Sequence, residues 1–332
     1  MENYNSKFHN EDISSNVYLI TGGAGFIGSN IVKYLIKYQA KKIIVMDNLS
    51  NGSYENIEEF ISLQNFEFIN GDIRDFNLCK NLISKVDYVC HQAALGSVPR
   101  SIQNPILTND VNVNGFLNVL HAVKEHPNVK KMVYAASSST YGDSNTLPKI
   151  EGNEGKPLSP YAVTKAVNEM YAEVYSKVYD LHTIGLRYFN VFGPNQSPDN
   201  PYAAVIPIFC KTALEKGIIK INGDGETSRD FTYVENAVQA NILAMHSNKI
   251  LSHDVFNIAC GQMTSLNQIV NILNKYIDSE LKVDYLPERQ GDIKYSLADI
   301  TKSMKILKYI PGITFNEGFI KTFQFYKERI GK

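Results

Sequence analysis

The sequence lacks the features that mark several broad classes of protein. No apolar run approaches the roughly 18 residues of a membrane-spanning helix, and the first thirteen residues are polar, so neither a membrane span nor a signal peptide is expected. The net charge is only −1, which provides no general attraction to nucleic acid or to an anionic surface. We therefore expect a cytoplasmic protein that binds neither nucleic acid nor membrane, and that meets anionic ligands with a few local cations.

Cysteine is scarce and widely dispersed. The four cysteines form no C-x-x-C pair and lie far apart in the chain, at Cys79, Cys90, Cys210 and Cys260. This pattern is typical of buried thiols in a reducing compartment, so we expect no disulfide and no metal site. Internal repeats and low-complexity tracts are also lacking, and 332 residues suffice for two lobes or one large domain.

Short apolar runs alternate with helical stretches in the first half of the chain. The run VYLIT (17–21) is apolar throughout and ends in glycines, as a strand buried on both faces does, and a helical pattern over 29–39 follows it. Further strands are predicted at 42–47, 66–70, 86–94, 131–139 and 183–190, and the run 255–261 is predicted to return to the same sheet. This alternation predicts an α/β fold with a doubly wound parallel sheet.

The turn between the first strand and the first helix has the sequence TGGAGFIG, in which Gly22, Gly25 and Gly28 are spaced three apart. Glycines here permit a tight turn and close approach of the backbone to a pyrophosphate, and the helix N-terminus offers N–H groups to the phosphates. Asp47 follows at the end of the second strand, where a carboxylate accepts the ribose hydroxyls and repels a 2′-phosphate. A glycine-rich turn without a ligand would not explain this acid, so we predict binding of NAD rather than NADP.

The regular alternation of strands and helices ends after Asn190. The proline- and asparagine-rich run FGPNQSPDNP follows Val191, and shorter, less regular elements come after it. We predict an NAD-binding Rossmann domain at 14–190 and 230–261, a smaller mixed α/β lobe for the substrate at 191–229 and 262–332, and a polar N-terminal arm at 1–13.

A second group of polar residues is predicted to meet the same crevice. The fifth strand ends in hydroxyls from Ser137 onwards, and the run SPYAVTK places Tyr161 and Lys165 four residues apart at a helix start. Taken singly, the hydroxyls fit a solvated loop and the pair fits an ordinary exposed helix. Lowering the pKa of tyrosine from about 10 to about 6–7 requires roughly 4–5 kcal/mol, and Lys165 together with the positive nicotinamide ring would supply it.

Nearly the whole chain, from Val17 to about residue 325, resembles the extended short-chain dehydrogenase/reductases. Among these it resembles the UDP-hexose 4-epimerases, and within them the UDP-N-acetylglucosamine 4-epimerases of bacterial surface-polysaccharide pathways. Besides the glycine turn and the Tyr161-x-x-x-Lys165 pair, the resemblance is carried by HQAALGSVPRS (91–101), AASSSTYGD (135–143), LRYFNVFGP (186–194) and NGDGETSRDF (222–231).

The resemblance implies roles for individual positions. Ser137 stands at the catalytic serine or threonine, Tyr161 is the base, and Lys165 is its electrostatic partner. The implied cofactor-binding residues are Gly22, Gly25, Phe26, Ile27, Gly28, Asp47, Asn48, Asp72, Ile73, Ala93, Tyr161 and Lys165. The implied substrate-binding residues are Gly96, Ser97, Ser137, Ser138, Ser139, Tyr161, Asn190, Ala204, Val205, Asn222, Arg229, Arg289, Asp292 and Ser296, with the two arginines as diphosphate clamps.

The reaction implied is 4-epimerisation of a UDP-sugar. Tyr161 takes the C4 hydroxyl proton, hydride passes from C4 to NAD, the 4-keto sugar turns over, and hydride returns to the other face, so NAD stays bound. A 4,6-dehydratase is expected to carry an Asp-Glu pair after the catalytic hydroxyl and a decarboxylase a glutamate, whereas this chain has Ser138 and Ser139. Small residues at Ser296 and Gly96 favour a pocket that admits an N-acetyl group, and hence interconversion of UDP-N-acetylglucosamine and UDP-N-acetylgalactosamine.

Several alternatives stay open. A 4-epimerase of UDP-glucuronate or UDP-N-acetylglucosaminuronate would need a cation near C6 of the sugar, for which Arg100 is a candidate. A non-catalytic NAD-sensing protein could share the fold, although such proteins commonly lose the tyrosine or lysine that this chain retains. Lys220 replaces an aromatic residue that the family often presents to the uracil, which puts that contact in doubt.

Assembly into a homodimer is also expected from the resemblance. Two helices, over about 108–124 and 161–179, would form a four-helix contact through apolar side chains, unless these side chains face the core of their own subunit. The residues concerned are Leu117, Leu120, Val167, Met170 and Val174.

Overall fold

The fold is built on a seven-stranded, fully parallel sheet. A computed structural model describes residues 4–199, 203–277, 281–288 and 294–330. The strands of this sheet are β1 (Val17–Thr21), β2 (Lys42–Asp47), β3 (Phe66–Asn70), β4 (Tyr88–His91), β5 (Lys131–Ser137), β6 (Thr183–Tyr188) and, later in the chain, His253–Ile258. Their order across the sheet is His253–Ile258, β6, β5, β4, β1, β2, β3. The doubly wound sheet and the return of the chain to it are confirmed.

The strand order reverses direction between β1 and β4, which are parallel neighbours. In open α/β sheets the loops after two such strands diverge to opposite faces and leave a crevice beyond their carboxyl ends. The glycine turn that follows Thr21 and the segment that follows His91 both open into this crevice. The topology therefore places the predicted dinucleotide turn at the point where a ligand is expected.

The remaining strands build small sheets outside the main one. They are β7 (Val191–Phe192), β8 (Ile218–Asn222), β9 (Ser228–Asp230), β10 (Thr232–Tyr233), β12 (Met263–Ser265), β13 (Lys282–Leu286) and β14 (Tyr295–Ser296). The number β11 belongs to the strand of the main sheet at His253–Ile258. β7 pairs with β10 and β8 with β13, while β9 lies between β12 and β14. These pieces match the mixed texture predicted for the second half of the chain.

Helices cover both faces of the main sheet and form much of the remainder. They are α1 (Phe26–Lys37), α2 (Phe76–Ile83), α3 (Val98–Gln103), α4 (Pro105–Asn109), α5 (Phe116–Glu125), α6 (Pro160–Tyr179), α7 (Val205–Leu214), α8 (Val234–Met245), α9 (Leu266–Leu273), α10 (Thr301–Ile306) and α11 (Phe315–Ile330). A π-helical segment, Asp110–Gly115, joins α4 to α5, and three single 3₁₀ turns lie at Tyr54–Asn56, Glu58–Phe60 and Ser138–Tyr141. No helix in these described ranges is long and apolar enough to cross a membrane.

Apolar side chains alternate between the two faces of the sheet. Tyr18 and Ile20 pack into one buried cluster and Leu19, between them, into the other, as the two-residue period of a strand requires. A third cluster lies outside the sheet and includes Phe192, Phe231 and Phe319. The described residues thus form a core on each face of the sheet, one more in the second half of the chain, and a small fourth cluster of Tyr141, Phe189, Ala259 and Ala298, while the exact domain limits stay a prediction.

Two details of the sequence-based prediction differ from the structure. The fourth, fifth and sixth strands are shorter than 86–94, 131–139 and 183–190, because the chain leaves the sheet at His91, turns at Ser138–Tyr141 and leaves the sheet again after Tyr188. Leu120 does not contribute to an external apolar face, since it is fully buried in the core of its own chain. Met170 and Val174 on α6, in contrast, are 64% and 52% exposed, and Leu117 and Val167 are half-buried.

Candidate active site

Two cavities lie beyond the carboxyl ends of β1, β4 and β5. The larger has a volume of about 840 Å³, and the smaller has a volume of about 90 Å³. Of the predicted cofactor residues, the smaller cavity is lined by Gly22, Gly25, Asp47, Asn48, Asp72, Ile73 and Ala93. The larger is lined by Gly22, Gly25, Phe26, Ile27, Gly28, Tyr161 and Lys165. Every predicted cofactor residue therefore lies on one of these two adjoining cavities.

Two positions of the glycine turn, Gly22 and Gly28, have no room for a side chain. A Cβ on Gly22, whose φ is +69°, would lie 2.6 Å from the backbone nitrogen of Ala93, and one on Gly28 would lie 2.2 Å from the Gly22 carbonyl oxygen. Gly25 is different, because its Cβ would meet only that same oxygen, at 3.1 Å. Gly25 caps α1 without a side-chain hydrogen bond, so the first turn of the helix presents N–H groups to the cavity.

Asp47 lies against this turn from the end of β2. Its carboxylate accepts hydrogen bonds from Ala24 N at 3.0 Å and Leu49 N at 2.8 Å. Burial raises the pKa of Asp47, and the backbone N–H donors partly offset that rise. The crevice therefore combines a glycine turn, the N–H groups of a helix N-terminus and a carboxylate at the end of a strand. This combination fits a dinucleotide with a free ribose 2′-hydroxyl.

Ser137, Tyr161 and Lys165 come together at the larger cavity. Ser159 caps α6 by accepting a hydrogen bond from Ala162 N at 3.1 Å, and Pro160 occupies the first turn, so Tyr161 lies at the start of the helix. Ser137 and Tyr161 line the same cavity, and the Ser137 side chain is near enough to the Tyr161 phenol to lower its pKa. The Lys165 ammonium lies 5.9 Å from the centre of the Tyr161 ring and donates to the Ala135 carbonyl oxygen at 2.7 Å.

The 3₁₀ turn after β5 supports Ser137. The backbone nitrogen and hydroxyl of Ser139 lie 3.2 and 2.9 Å from Ser137 Oγ and donate to it. With its lone pairs engaged, the Ser137 hydroxyl is oriented to donate its own proton to the phenol oxygen of Tyr161. Ser139 thus contacts Ser137 and is not among the residues that line the cavity, whereas Ser138 is.

Burial shifts the pKa values of this group in opposite directions. It raises the pKa of Tyr161, and the hydrogen bond from Ser137 partly offsets the rise. Burial lowers the pKa of Lys165 to about 8, and the nearby carboxylate of Glu169 acts against that decrease. The protein alone therefore does not ionise Tyr161 near neutral pH, and the decrease in its pKa that catalysis requires depends on the positive charge of the oxidised cofactor.

The pair His91-Gln92 has a structural explanation that the sequence did not reveal. His91 is buried and its Nδ1 lies 2.8 Å from Thr21 Oγ1, while burial lowers the pKa of His91 to about 3, so the imidazole is neutral. Gln92 lines both cavities. Its amide donates to Asn241 Oδ1 at 3.1 Å and accepts from the Tyr188 hydroxyl at 3.2 Å. These contacts join strands and a helix far apart in the chain.

The predicted substrate residues fall into three groups. Those that line the larger cavity are Gly96, Ser97, Ser137, Ser138, Tyr161, Asn190 and Ala204. Those that are described but are not among its lining residues are Ser139, Val205, Asn222, Arg229 and Ser296. Arg289 and Asp292 lie outside the described residues. Arg229 and Ser296 are brought side by side as partners in the β9–β14 pairing.

Other residues on the larger cavity were not expected from the sequence. Asn51, Gln196 and Ser197 line it, beside Arg100, which the sequence had offered as a candidate cation near C6 of the sugar. The Gln196 amide donates to the Val191 carbonyl oxygen at 3.2 Å. Its oxygen is buried and has no hydrogen-bond partner within the described parts of the chain. The position of Gln196 in a proline- and asparagine-rich loop offered no pattern that would have marked it as a site residue.

Comparison with known proteins agrees with this geometry. The sequence profile of the NAD dependent epimerase/dehydratase family matches residues 18–259. A curated relative, the UDP-glucuronate 4-epimerase of Thermodesulfobacterium geofontis, is 35% identical over 321 residues, which are 94% of this chain and 97% of the relative. The chain belongs to the NAD dependent epimerase/dehydratase family, and its cofactor is NAD.

Two solved structures are closely similar. The UDP-N-acetylglucosamine 4-epimerase of Methanobrevibacter ruminantium M1, in complex with UDP-N-acetylmuramic acid, is 38% identical with a TM-score of 0.90, covering 95% of this chain and 99% of that one. The UDP-glucuronic acid 4-epimerase of Bacillus cereus, in complex with UDP-glucuronic acid and NAD, is 29% identical with a TM-score of 0.87, covering 94% and 99%. This chain is thus similar to UDP-sugar 4-epimerases that differ in their sugars.

Proposed function

We propose that the protein is an NAD-dependent 4-epimerase that interconverts UDP-N-acetylglucosamine and UDP-N-acetylgalactosamine, with UDP-glucose and UDP-galactose as possible further substrates. The observation that carries the proposal is the convergence of Ser137, Tyr161 and Lys165 on one cavity, with two serines instead of acids after Ser137. Serine hydroxyls do not act as acid and base near neutral pH, so Ser138 and Ser139 disfavour dehydration and decarboxylation.

The side chains divide the work of proton transfer. Ser137 donates to the phenol oxygen of Tyr161 and so stabilises its anion, and the ammonium of Lys165 adds positive charge on the same side. Tyr161 accepts the proton of the sugar C4 hydroxyl and later returns it to the C4 oxygen of the product. Bound NAD supplies the acceptor for hydride from C4 and the donor for its return.

The N-acetyl group is supported by space and by an unused acceptor. A Cβ at Gly96 would have nothing within 4 Å, so the wall of the cavity is open at this point. Gln196 lines the same cavity, and its side-chain oxygen, which is buried without a partner in the described parts of the chain, is an acceptor of the kind that the N–H of an acetamido group needs. Ser296 on β14, which pairs with Arg229 on β9, is the small residue that the proposal assigns to the N-acetyl group.

The other substrate roles are part of the proposal. Asn190, whose amide donates to the Asp230 carbonyl oxygen at 3.0 Å, would hold the phosphates, and Arg229 and Arg289 would clamp the diphosphate. Lys220, which stands where the family often has an aromatic residue against the uracil, is exposed on β8. A lysine there would give a weaker contact with the base than an aromatic ring. The further residues proposed to bind the sugar nucleotide are Ser97, Ala204, Val205, Asn222 and Asp292.

A uronic-acid substrate is the second candidate. Arg100 lines the larger cavity, and its guanidinium donates to Asn51 Oδ1 at 2.8 Å. A guanidinium at this wall offers a partner for a carboxylate at C6 of the sugar. Substitution of Arg100 by Leu would abolish turnover of UDP-glucuronate or UDP-N-acetylglucosaminuronate while sparing neutral sugars.

We also propose a homodimer formed through α5 and α6. Met170 and Val174 are exposed on α6, and Val163 and Val178 extend the same apolar surface. A contiguous apolar face on a long helix favours burial against another protein surface. Met170→Glu together with Val174→Glu would convert a dimer to a monomer in sedimentation analysis, whereas an unchanged sedimentation coefficient would contradict this interface.

The proposed activity is tested by turnover of four UDP-sugars without added NAD, namely those of glucose, N-acetylglucosamine, glucuronate and N-acetylglucosaminuronate. We expect preference for UDP-N-acetylglucosamine, with Tyr161→Phe inactive. Preference for an acidic sugar would move the assignment to the second candidate. No turnover of any sugar by protein that contains NAD would indicate a non-catalytic NAD-sensing protein.

A further inference from the structure

The N-terminal arm is packed onto the fold rather than extended into solvent. Tyr4 is only 1% exposed and its ring packs edge-on against Tyr34, with ring centres 5.7 Å apart. Tyr34 also accepts a hydrogen bond from the backbone nitrogen of Phe8 at 2.7 Å and lies 2.8 Å from His9 Nδ1. Tyr4 has a φ of +62°, a strained value for a tyrosine that persists only when the surroundings hold the residue in place.

A chain of hydrogen bonds leads from the arm to the candidate active site. The Tyr4 hydroxyl donates to Asn30 Oδ1 at 2.8 Å, inside the protein. The amide nitrogen of the same Asn30 donates to the Phe26 carbonyl oxygen at 2.9 Å and to the Pro194 carbonyl oxygen at 3.2 Å. The two carbonyl oxygens that Asn30 contacts belong to segments of the cavity wall. Phe26 itself lines the larger cavity, and Pro194 directly precedes the lining residues 195–197.

The segment 193–197 is held on α1 by one further contact. Asn195 donates from its amide to Ser29 Oγ at 3.1 Å, and Asn195, Gln196 and Ser197 all line the larger cavity. This segment has no regular secondary structure, so its position depends on such side-chain contacts. Asn30 is 2% exposed, and without a donor its Oδ1 would be a buried unsatisfied acceptor.

Tyr4 also contacts the helix that links the two halves of the chain. The Tyr4 backbone lies near the carboxylate of Glu235, at the start of α8, and acts against the rise that burial causes in the pKa of that carboxylate. Glu235 lies 3.7 Å from the ammonium of Lys321 on α11, whose helix packs in the third apolar cluster. Tyr4 is thus located where the sheet, the segment 193–197 and the second half of the chain meet.

We propose that Tyr4 and Asn30 are positioning residues for the sugar-nucleotide site, and that residues 4–13 act as a strap that keeps segment 193–197 in its place on the cavity wall. Tyr4 acts through Asn30, and Asn30 acts through the carbonyl oxygens of Phe26 and Pro194. The choice of substrate rests on the proposed function, but the positioning of the segment does not.

Tyr4→Phe removes only the hydroxyl and leaves the ring packed on Tyr34. We expect hydrogen exchange of the amides in 193–197 to accelerate roughly tenfold, and the KM for UDP-N-acetylglucosamine to rise roughly three- to tenfold with kcat within about twofold. Tyr38→Phe is the matched control, because its hydroxyl donates to the Tyr4 carbonyl oxygen at 3.0 Å and its removal leaves Asn30 untouched.

The outcomes separate the possibilities. Faster exchange of 193–197 in Tyr4→Phe but not in Tyr38→Phe supports the proposal, even if the wild type turns over no UDP-sugar, a result that would refute only the proposed function. Equal exchange in both variants and the wild type would overturn it. If Tyr4→Phe does not fold, Asn30→Ala decides by the same measurement, with unchanged exchange as the contradicting result.

Discussion

The effect of the Ser137 hydroxyl on the Tyr161 phenol leads to a graded prediction for Ser137→Ala. The Ser137 hydroxyl lowers the pKa of the buried phenol, so its loss leaves a smaller fraction of Tyr161 ionised near neutral pH. A hydrogen bond to a charged group contributes about 1.5–3 kcal/mol, which corresponds to a roughly 10- to 150-fold decrease in kcat. It also corresponds to an apparent pKa of the base that is about one to two units higher.

The raised pKa of Tyr161 also predicts the direction in which the pH dependence of kcat shifts in Ser137→Ala. The anion of Tyr161 is the active form, so a higher pKa reduces the active fraction most at low pH and least at high pH. The acid limb of kcat should therefore shift to higher pH in Ser137→Ala, and the deficit should be larger at pH 6 than at pH 9. Turnover of UDP-N-acetylglucosamine, followed chromatographically from pH 5.5 to 9.5, measures both quantities.

Ser139→Ala provides the matched variant. It removes one neutral donor, 2.9 Å from Ser137 Oγ, and leaves the backbone donor in place. The expected cost is about 0.5–1.5 kcal/mol, or a roughly two- to twelvefold decrease in kcat. A Ser137→Ala enzyme within threefold of the wild type, with an acid limb at the same pH, would refute the role assigned to Ser137.

Three further predictions concern the cofactor and the fold. Gly25→Ala should fold but retain roughly tenfold less NAD on purification, because its Cβ would enter the cradle; full NAD content by absorbance would contradict this. Arg187→Met, which leaves Glu154 and Glu169 without their buried ion-pair partner, should lower the free energy of unfolding in urea by about 3–5 kcal/mol, and a loss below about 1 kcal/mol would contradict it. Burial raises the pKa of Asp230 from 3.8 to about 6, so the folded state binds a proton that the unfolded state releases. Relative to Asp230→Asn, the wild type should therefore gain up to about 3 kcal/mol of stability as the pH falls from 7 to 4, and parallel pH profiles would refute this.

The main sheet was predictable because its signals are local in sequence. Parallel strands buried on both faces are continuous apolar runs, so β1, β2 and β3 begin and end where predicted. The glycine turn, Asp47 and the Tyr161–Lys165 pair follow from spacing at strand and helix ends. Because the carboxyl ends of parallel strands meet at one edge, their convergence on two adjoining cavities also followed from the topology.

Other parts of the site depend on contacts between distant segments. Gln92 meets Asn241 and Tyr188 only after the sheet has assembled, and no local pattern marks the partners in advance. The burial of Leu120 likewise depends on which side of α5 meets the sheet, since the helical period alone does not distinguish a core face from an interface. The docking of Tyr4 on Asn30, across 26 positions, belongs to the same class.

The most direct test of the central claim uses UDP-N-acetylglucosamine carrying deuterium at C4, incubated with the purified protein without added NAD. Transfer of hydride to bound cofactor and its return predict UDP-N-acetylgalactosamine that retains the deuterium at C4, as seen by NMR and mass spectrometry. Absence of the product, or a product whose C4 deuterium has exchanged with solvent, would contradict the account.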